Sequence, residues 1–128
     1  MLEIGISHKI SHVVTAQDLA SAIGSGAMEV FATPRMIALM EQCAFDSVQP
    51  DLEEGQSTVG TKLDVSHVAA TPVGATVEVK SKLIEIDRKR LVFHVEAYAC
   101  DELIGTGTHE RFIIAAKPFM EKARAKLQ

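Results

Sequence analysis

Residues 34–48, PRMIALMEQCAFDSV, carry the clearest helical pattern in the chain, and their reading decides the fold. Thr33 stands where an N-cap is expected, and Pro34 at the first helical position, where a missing N–H costs nothing. Met36, Ile37, Leu39, Met40, Cys43 and Ala44 cover much of the circumference. A helix apolar on most sides is a buried one. Gln49-Pro50 ends it.

Working outward, residues 3–14 (EIGISHKISHVV) alternate as a strand does, with Ile4, Ile6 and His8 on one face. Thr15 is a plausible N-cap for a short helix through about Ala22, closed by Gly24-Ser25-Gly26. That Gly-Ser-Gly stretch reads as an ordinary connecting loop or as a mobile lid. Downstream the period becomes two. Val59, Thr61, Leu63, Val65 and His67 form the inward face of one strand, which ATPVG (70–74) breaks. Val77, Val79, Ser81 and Leu83 form the next inward face, followed by a turn at Asp87 to Arg90. Leu91, Phe93, Val95, Ala97 and Ala99 face inward after it, and Asp101-Glu102 turns again into a last strand, Leu103 to Ala115. Residues 117–128 read as a polar helix. One apolar helix followed by four hairpin-linked strands predicts an α+β fold, a curled antiparallel sheet wrapped around one long central helix. Such a sheet leaves apolar surface open, so a dimer is expected.

The 128 residues suit a single domain spanning 1–128, and 47% apolar content argues against disorder. No segment approaches the ~20 apolar residues of a membrane span. MLEIGISHK does not read as a signal peptide, so the expected location is the cytoplasm. Cys43 and Cys100 sit in apolar patterns, which predicts buried, reduced thiols, without the spacing of a zinc site. Net charge is −4 with scattered cations, which speaks against a nucleic-acid partner. The one basic cluster, Arg88-Lys89-Arg90, reads best as a charged hairpin tip.

Three residues bear on chemistry. Glu41 lies mid-helix, and a buried carboxylate is costly unless paired or hydrogen-bonded. It is either a solvated helix residue beside Gln42 or a base or nucleophile at a pocket edge. His67 ends an inward apolar alternation, as a hydrogen-bonded core residue or as a group that moves a proton near neutral pH. Thr33 is mainly a structural cap, or, at a helix N-terminus of positive potential, a hydroxyl that orients a carbonyl or attacks one. Gly60, inside a strand, marks either a β-bulge or a point of close approach, where a free N–H could polarise a carbonyl. Gly105 and Gly107 raise the same possibility of close approach. His8, His12, His94 and His109 show no spacing that selects a metal.

VFATPRMIALMEQ (30–42) and TVGTKLDVSHVAATPVG (58–74) resemble the fluoroacetyl-CoA thioesterase-like family of hotdog-fold acyl-CoA thioesterases. In order of elements the resemblance runs over roughly residues 10–115. It implies a hotdog fold and hydrolysis of an acyl-CoA thioester in a pocket at a dimer interface. The family's catalytic Thr, Glu and His carry over to Thr33, Glu41 and His67, and its TVGT glycine to Gly60. Gly60 and Phe31 are expected to contact substrate, and Arg88, Lys89, Arg90 or Arg111 to meet CoA phosphates, since Arg and Lys suit phosphate. No metal or other cofactor is implied, and the partner is a second copy, as a homodimer or a dimer of dimers. One departure stands out. The aromatic lid associated with fluorinated-acyl selectivity has no counterpart in residues 23–30, where no aromatic appears before Phe31, so a more general short-chain acyl group is expected. A hotdog hydratase or dehydratase and a non-catalytic acyl-CoA-binding module are the rival readings.

Overall fold

The period-two stretches fold into one antiparallel five-stranded sheet, in a computed structural model that describes residues 1–128. The strands are β1 (Ser7–Val13), β2 (Gln56–His67), β3 (Thr76–Asp87), β4 (Arg90–Ala99) and β5 (Glu102–Ala115), in the order β1-β3-β4-β5-β2. Both inner hairpins close in two residues. Arg88 starts one turn at φ 57°, and Cys100 and Asp101 make the other at φ 52° and 61°. Positive φ at the first central residue of one and at both of the other matches the twist of the strands they join. The helices are α1 (Ala20–Ile23), α2 (Thr33–Val48) and α3 (Ala116–Arg124). No helix is long and apolar enough to cross a membrane.

The core lies between α2 and the concave face of the sheet. Met36, Leu39, Met40, Cys43, Ala44 and Val48 recur at helical spacing and are buried against Val77, Val79 and Leu83 of β3 and Leu91, Phe93, Val95 and Ala97 of β4. Each large side chain so buried is worth roughly 1.5–3 kcal/mol. On β5, Gly105 lets the helix lie close. A Cβ there would stand 2.5 Å from Met36 Sδ.

The structure departs from the sequence reading in several places, each with a local cause. Thr33 is the first helical residue rather than the cap. Ala32 is the extended N-cap, so the Thr33 hydroxyl is not spent on the helix end. Burial of α2 is one-sided. Ile37, Glu41 and Phe45 are only half-buried and Ala38 is exposed, leaving an open apolar flank on the chain alone. The first strand begins at Ser7 because Gly5, at φ 104°, turns the chain before it. The expected helix after Thr15 splits into a 3-10 turn, Ala16–Asp18, and α1, because Leu19 between them is extended and bridges Phe31. Gly24 closes α1 in the left-handed region, and the following loop folds back through Ser21 N–H to the Met28 carbonyl.

The alternation expected along residues 59–67 changes phase. Register on β5 slips between Gly60 and Lys62, leaving Thr61 as the extra residue of a β-bulge. Before the bulge Thr58 is buried, and after it Val65 packs on the core. Cys43 is buried as expected, whereas Cys100 is exposed, because it occupies the hairpin turn rather than the strand.

Candidate active site

The site forms where the N-terminal turn of α2 meets the far end of β2. Thr33 Oγ1 lies 2.7 Å from His67 Nδ1. The other ring nitrogen of His67, Nε2, is buried and has no partner. Phe31 is 1% exposed and meets the imidazole edge-on, with ring centroids 6.4 Å apart. Burial pushes the His67 pKa below its ordinary value, partly offset by the Ala69 backbone. The ring is therefore mostly neutral at neutral pH.

Glu41 sits about two turns further along α2. Thr33, Glu41, His67 and Phe31 share the wall of one cleft of about 820 Å³, with Ile37 and Val30 as apolar neighbours. Glu41 also borders a smaller cleft of about 340 Å³ with Phe45 and Arg111. The carboxylate thus stands between two openings.

Gly60 makes this placement possible. A Cβ on Gly60 would stand 2.8 Å from Glu41 Oε2, 3.1 Å from His109 Cε1 and 3.3 Å from Arg111 Nη1. Any larger residue would push the carboxylate off the strand. The two readings of this glycine hold together, since the bulge begins at the residue that the helix approaches.

Arg111 is 6% exposed, and its donors point into the protein. Nε donates to Thr58 Oγ1 at 2.8 Å, Nη2 to the Thr58 carbonyl at 2.9 Å, and Nη1 lies 3.1 Å from His109 Nε2. The guanidinium lies 5.7 Å from the Phe45 ring centroid. Its side chain is engaged beside Glu41, away from solvent. Among the other candidates, Arg90 is held by Glu110 and Glu85 at 2.7 Å each, and Arg88 lies 3.5 Å from Asp87. The basic cluster is a charged hairpin tip.

His109 was not singled out from the sequence. It is fully buried, with Nδ1 2.8 Å from the Lys62 carbonyl. Its signal was present in the alternation of β5, where His109 and Arg111 share the inward parity of Gly105. No three His, Cys, Asp or Glu side chains converge as a metal site. A carboxylate, a hydroxyl and a neutral imidazole around one apolar-walled cleft form a set suited to acyl transfer.

The chain is similar to known proteins along most of its length. The profile of the fluoroacetyl-CoA-specific thioesterase family matches residues 14–117. A fluoroacetyl-CoA thioesterase of Streptantibioticus cattleyicolor is 43% identical over 98 residues, covering 77% of this chain and 70% of the relative. The solved structure of a threonine-to-serine mutant of the fluoroacetyl-CoA thioesterase in complex with acetyl-CoA superposes with a TM-score of 0.93 at 33% identity, covering 99% of this chain and 100% of that one. A hot-dog-like protein from Thermanaerovibrio acidaminovorans, 19% identical, shares the fold with a TM-score of 0.89 over 98% of this chain and 93% of its own.

Proposed function

Because this chain belongs to the fluoroacetyl-CoA-specific thioesterase family, we propose that its 128 residues form one domain that hydrolyses a short-chain acyl-CoA to the free acid and CoA, using Thr33, Glu41 and His67. The observation that carries the reading is the 2.7 Å contact between Thr33 and His67 at a cleft that Glu41 shares.

The roles follow from the donors and acceptors. With Nδ1–H donating to Thr33 Oγ1, neutral His67 keeps its lone pair on Nε2. Glu41 attacks the thioester carbonyl directly or through a water. Where Glu41 acts through a water, His67 takes a proton from that water and delivers it to the CoA thiolate as the C–S bond breaks. Where Glu41 attacks directly, the thiolate leaves as the anhydride forms. The water that then hydrolyses the anhydride gives its proton to His67, which passes it on and returns to neutral. The Thr33 hydroxyl hydrogen remains free for Glu41 or the substrate oxygen, and the backbone at Gly60 is the proposed donor to the carbonyl. Phe31 supports His67 from the apolar side. No cofactor beyond the CoA of the substrate is assigned. The segment before α2 lacks an aromatic until Phe31, which favours a general short acyl group over a strictly fluorinated one. A homodimer, or a dimer of dimers, is part of the proposal. The half-open flank of α2 around Ile37 and Phe45, and the free edge of β2, are surfaces that a second copy would cover.

Thiol release from short, branched, aromatic and fluorinated acyl-CoAs tests this reading. Hydrolysis that both Glu41→Ala and His67→Ala abolish supports it. Binding of CoA esters with no thiol released from any of them overturns it in favour of a binding module. Loss of enoyl absorbance without free thiol would assign a hydratase.

A further inference from the structure

The fully buried histidine of β5 has no part in the reaction above. Resting on the thioesterase reading, we propose that His109 is a positioning residue, which holds Arg111 beside the Glu41 carboxylate but off it.

The argument begins with what each atom can do. The Lys62 carbonyl, at the bulge of β2, only accepts, so His109 Nδ1 carries the proton and donates across 2.8 Å. Arg111 Nη1 only donates, so His109 Nε2 must accept across 3.1 Å. One protonation state satisfies both contacts, the neutral ring with its proton on Nδ1. An imidazolium would set N–H against N–H. Burial favours that neutral ring and Arg111 adds to it, while the Lys62 carbonyl, Glu41 and Glu110 act in the other direction; the balance lies below the ordinary histidine value. Phe93 packs against the ring, with centroids 6.4 Å apart.

Arg111 is thereby fixed through all three of its nitrogens, two on Thr58 and one on His109. Nη1 and Glu41 Oε2 both lie within 3.3 Å of the point where a Gly60 Cβ would stand. The cation stands beside Glu41, yet the anchors on Thr58 and His109 keep it from pairing with the carboxylate. Remove the acceptor at His109 Nε2 and Nη1 is left buried and unsatisfied. Its nearest remedy is Glu41, and a direct ion pair there would occupy the oxygen the reaction needs. His109 acts through Arg111 and touches no substrate.

Two measurements on the full chain test this. In 15N-histidine NMR, His109 should show a protonated Nδ1 and an unprotonated Nε2 throughout about pH 6–8. A proton on Nε2 would overturn the proposal whatever the kinetics. In thiol-release kinetics, His109→Phe keeps the ring's bulk but offers no acceptor. It should lower kcat by roughly 10- to 100-fold with KM within about twofold. His109→Gln, which restores an acceptor at the Nε2 position, should recover most of kcat. Wild-type kcat in the Phe variant, a rise in KM alone, or no recovery with Gln each overturns the positioning role. An inactive wild type sinks the thioesterase reading and this role with it, whereas an active wild type with an unaltered Phe variant sinks only the role of His109.

Discussion

Thr33 and His67 stand 34 residues apart in the chain and 2.7 Å apart in the fold. One opens the central helix and the other ends β2, so their contact depends on how α2 is laid across the sheet. It also orients the imidazole, which decides which nitrogen faces the cleft. Because burial holds the His67 pKa below 6.5, its neutral form persists into mildly acidic solution. If that form is the base, kcat/KM should fall on acidification with a midpoint below 6.5. His67→Ala should lower kcat by roughly 100- to 10,000-fold. Thr33→Val, which frees the ring to turn, should cost roughly tenfold or more. A pH–rate profile of wild type and both variants checks this, and an acid limb above the ordinary histidine value would exclude His67 as that base.

Gly60 has Glu41 Oε2 2.8 Å from the site of its absent Cβ. Gly60→Ala should therefore displace the carboxylate, with the side chain giving way rather than the backbone. We expect kcat to fall by roughly 10- to 100-fold, while stability drops by only about 1–2 kcal/mol. Kinetics beside thermal unfolding of the same variant separate the two effects.

Asp18 is 5% exposed and ties three elements together. It accepts from His12 Nε2 at 2.7 Å, from Arg35 Nε at 2.9 Å and from the Thr15 backbone N–H at 2.7 Å. Burial works to raise its pKa, but the Thr15, His12 and Arg35 hydrogen bonds outweigh it, and the carboxyl lies well below the ordinary 3.8. A carboxyl depressed in the folded state stabilises above its unfolded pKa, and that contribution is lost as pH falls below it. Asp18→Asn should cost roughly 2–4 kcal/mol at neutral pH. The gap between wild type and variant should narrow below 3.8. Urea unfolding of both proteins at about pH 7 and about pH 3 measures this.

The two thiols should differ in reactivity. Cys100 is exposed at the hairpin turn, whereas Cys43 is buried in the core, where desolvation raises its pKa. Thiolate is the reactive form. Ellman's reagent should therefore titrate one thiol quickly in the native protein and the second only in denaturant. Two fast thiols would mean that the core around Cys43 opens readily.

Much of the fold was legible because burial imposes a period. The apolar stripe of α2 and the odd-numbered inward residues of β3 and β4 follow from side chains that must leave water, and β3 and β4 face inward as read. Phase was harder. The bulge at Thr61 inserts one residue, and nothing in the composition of residues 56–67 marks which face follows it. The turn that exposes Cys100 was misread by one position, because neither Cys nor Asp carries the glycine signal of a left-handed hairpin loop.

What the sequence determined by itself was local: the periods of helix and strand, the breaks at Gly and Pro, and the stretches around Thr33 and His67 that carry the family resemblance. Only the tertiary structure decided which groups meet. Thr33 joins His67, Gly60 admits Glu41, and Arg111 turns inward to Thr58 and His109. The physical reason is range. Alternation and capping act over a few residues, whereas hydrogen bonds between α2, β2 and β5 depend on the register and approach of elements distant along the chain, which no local pattern encodes.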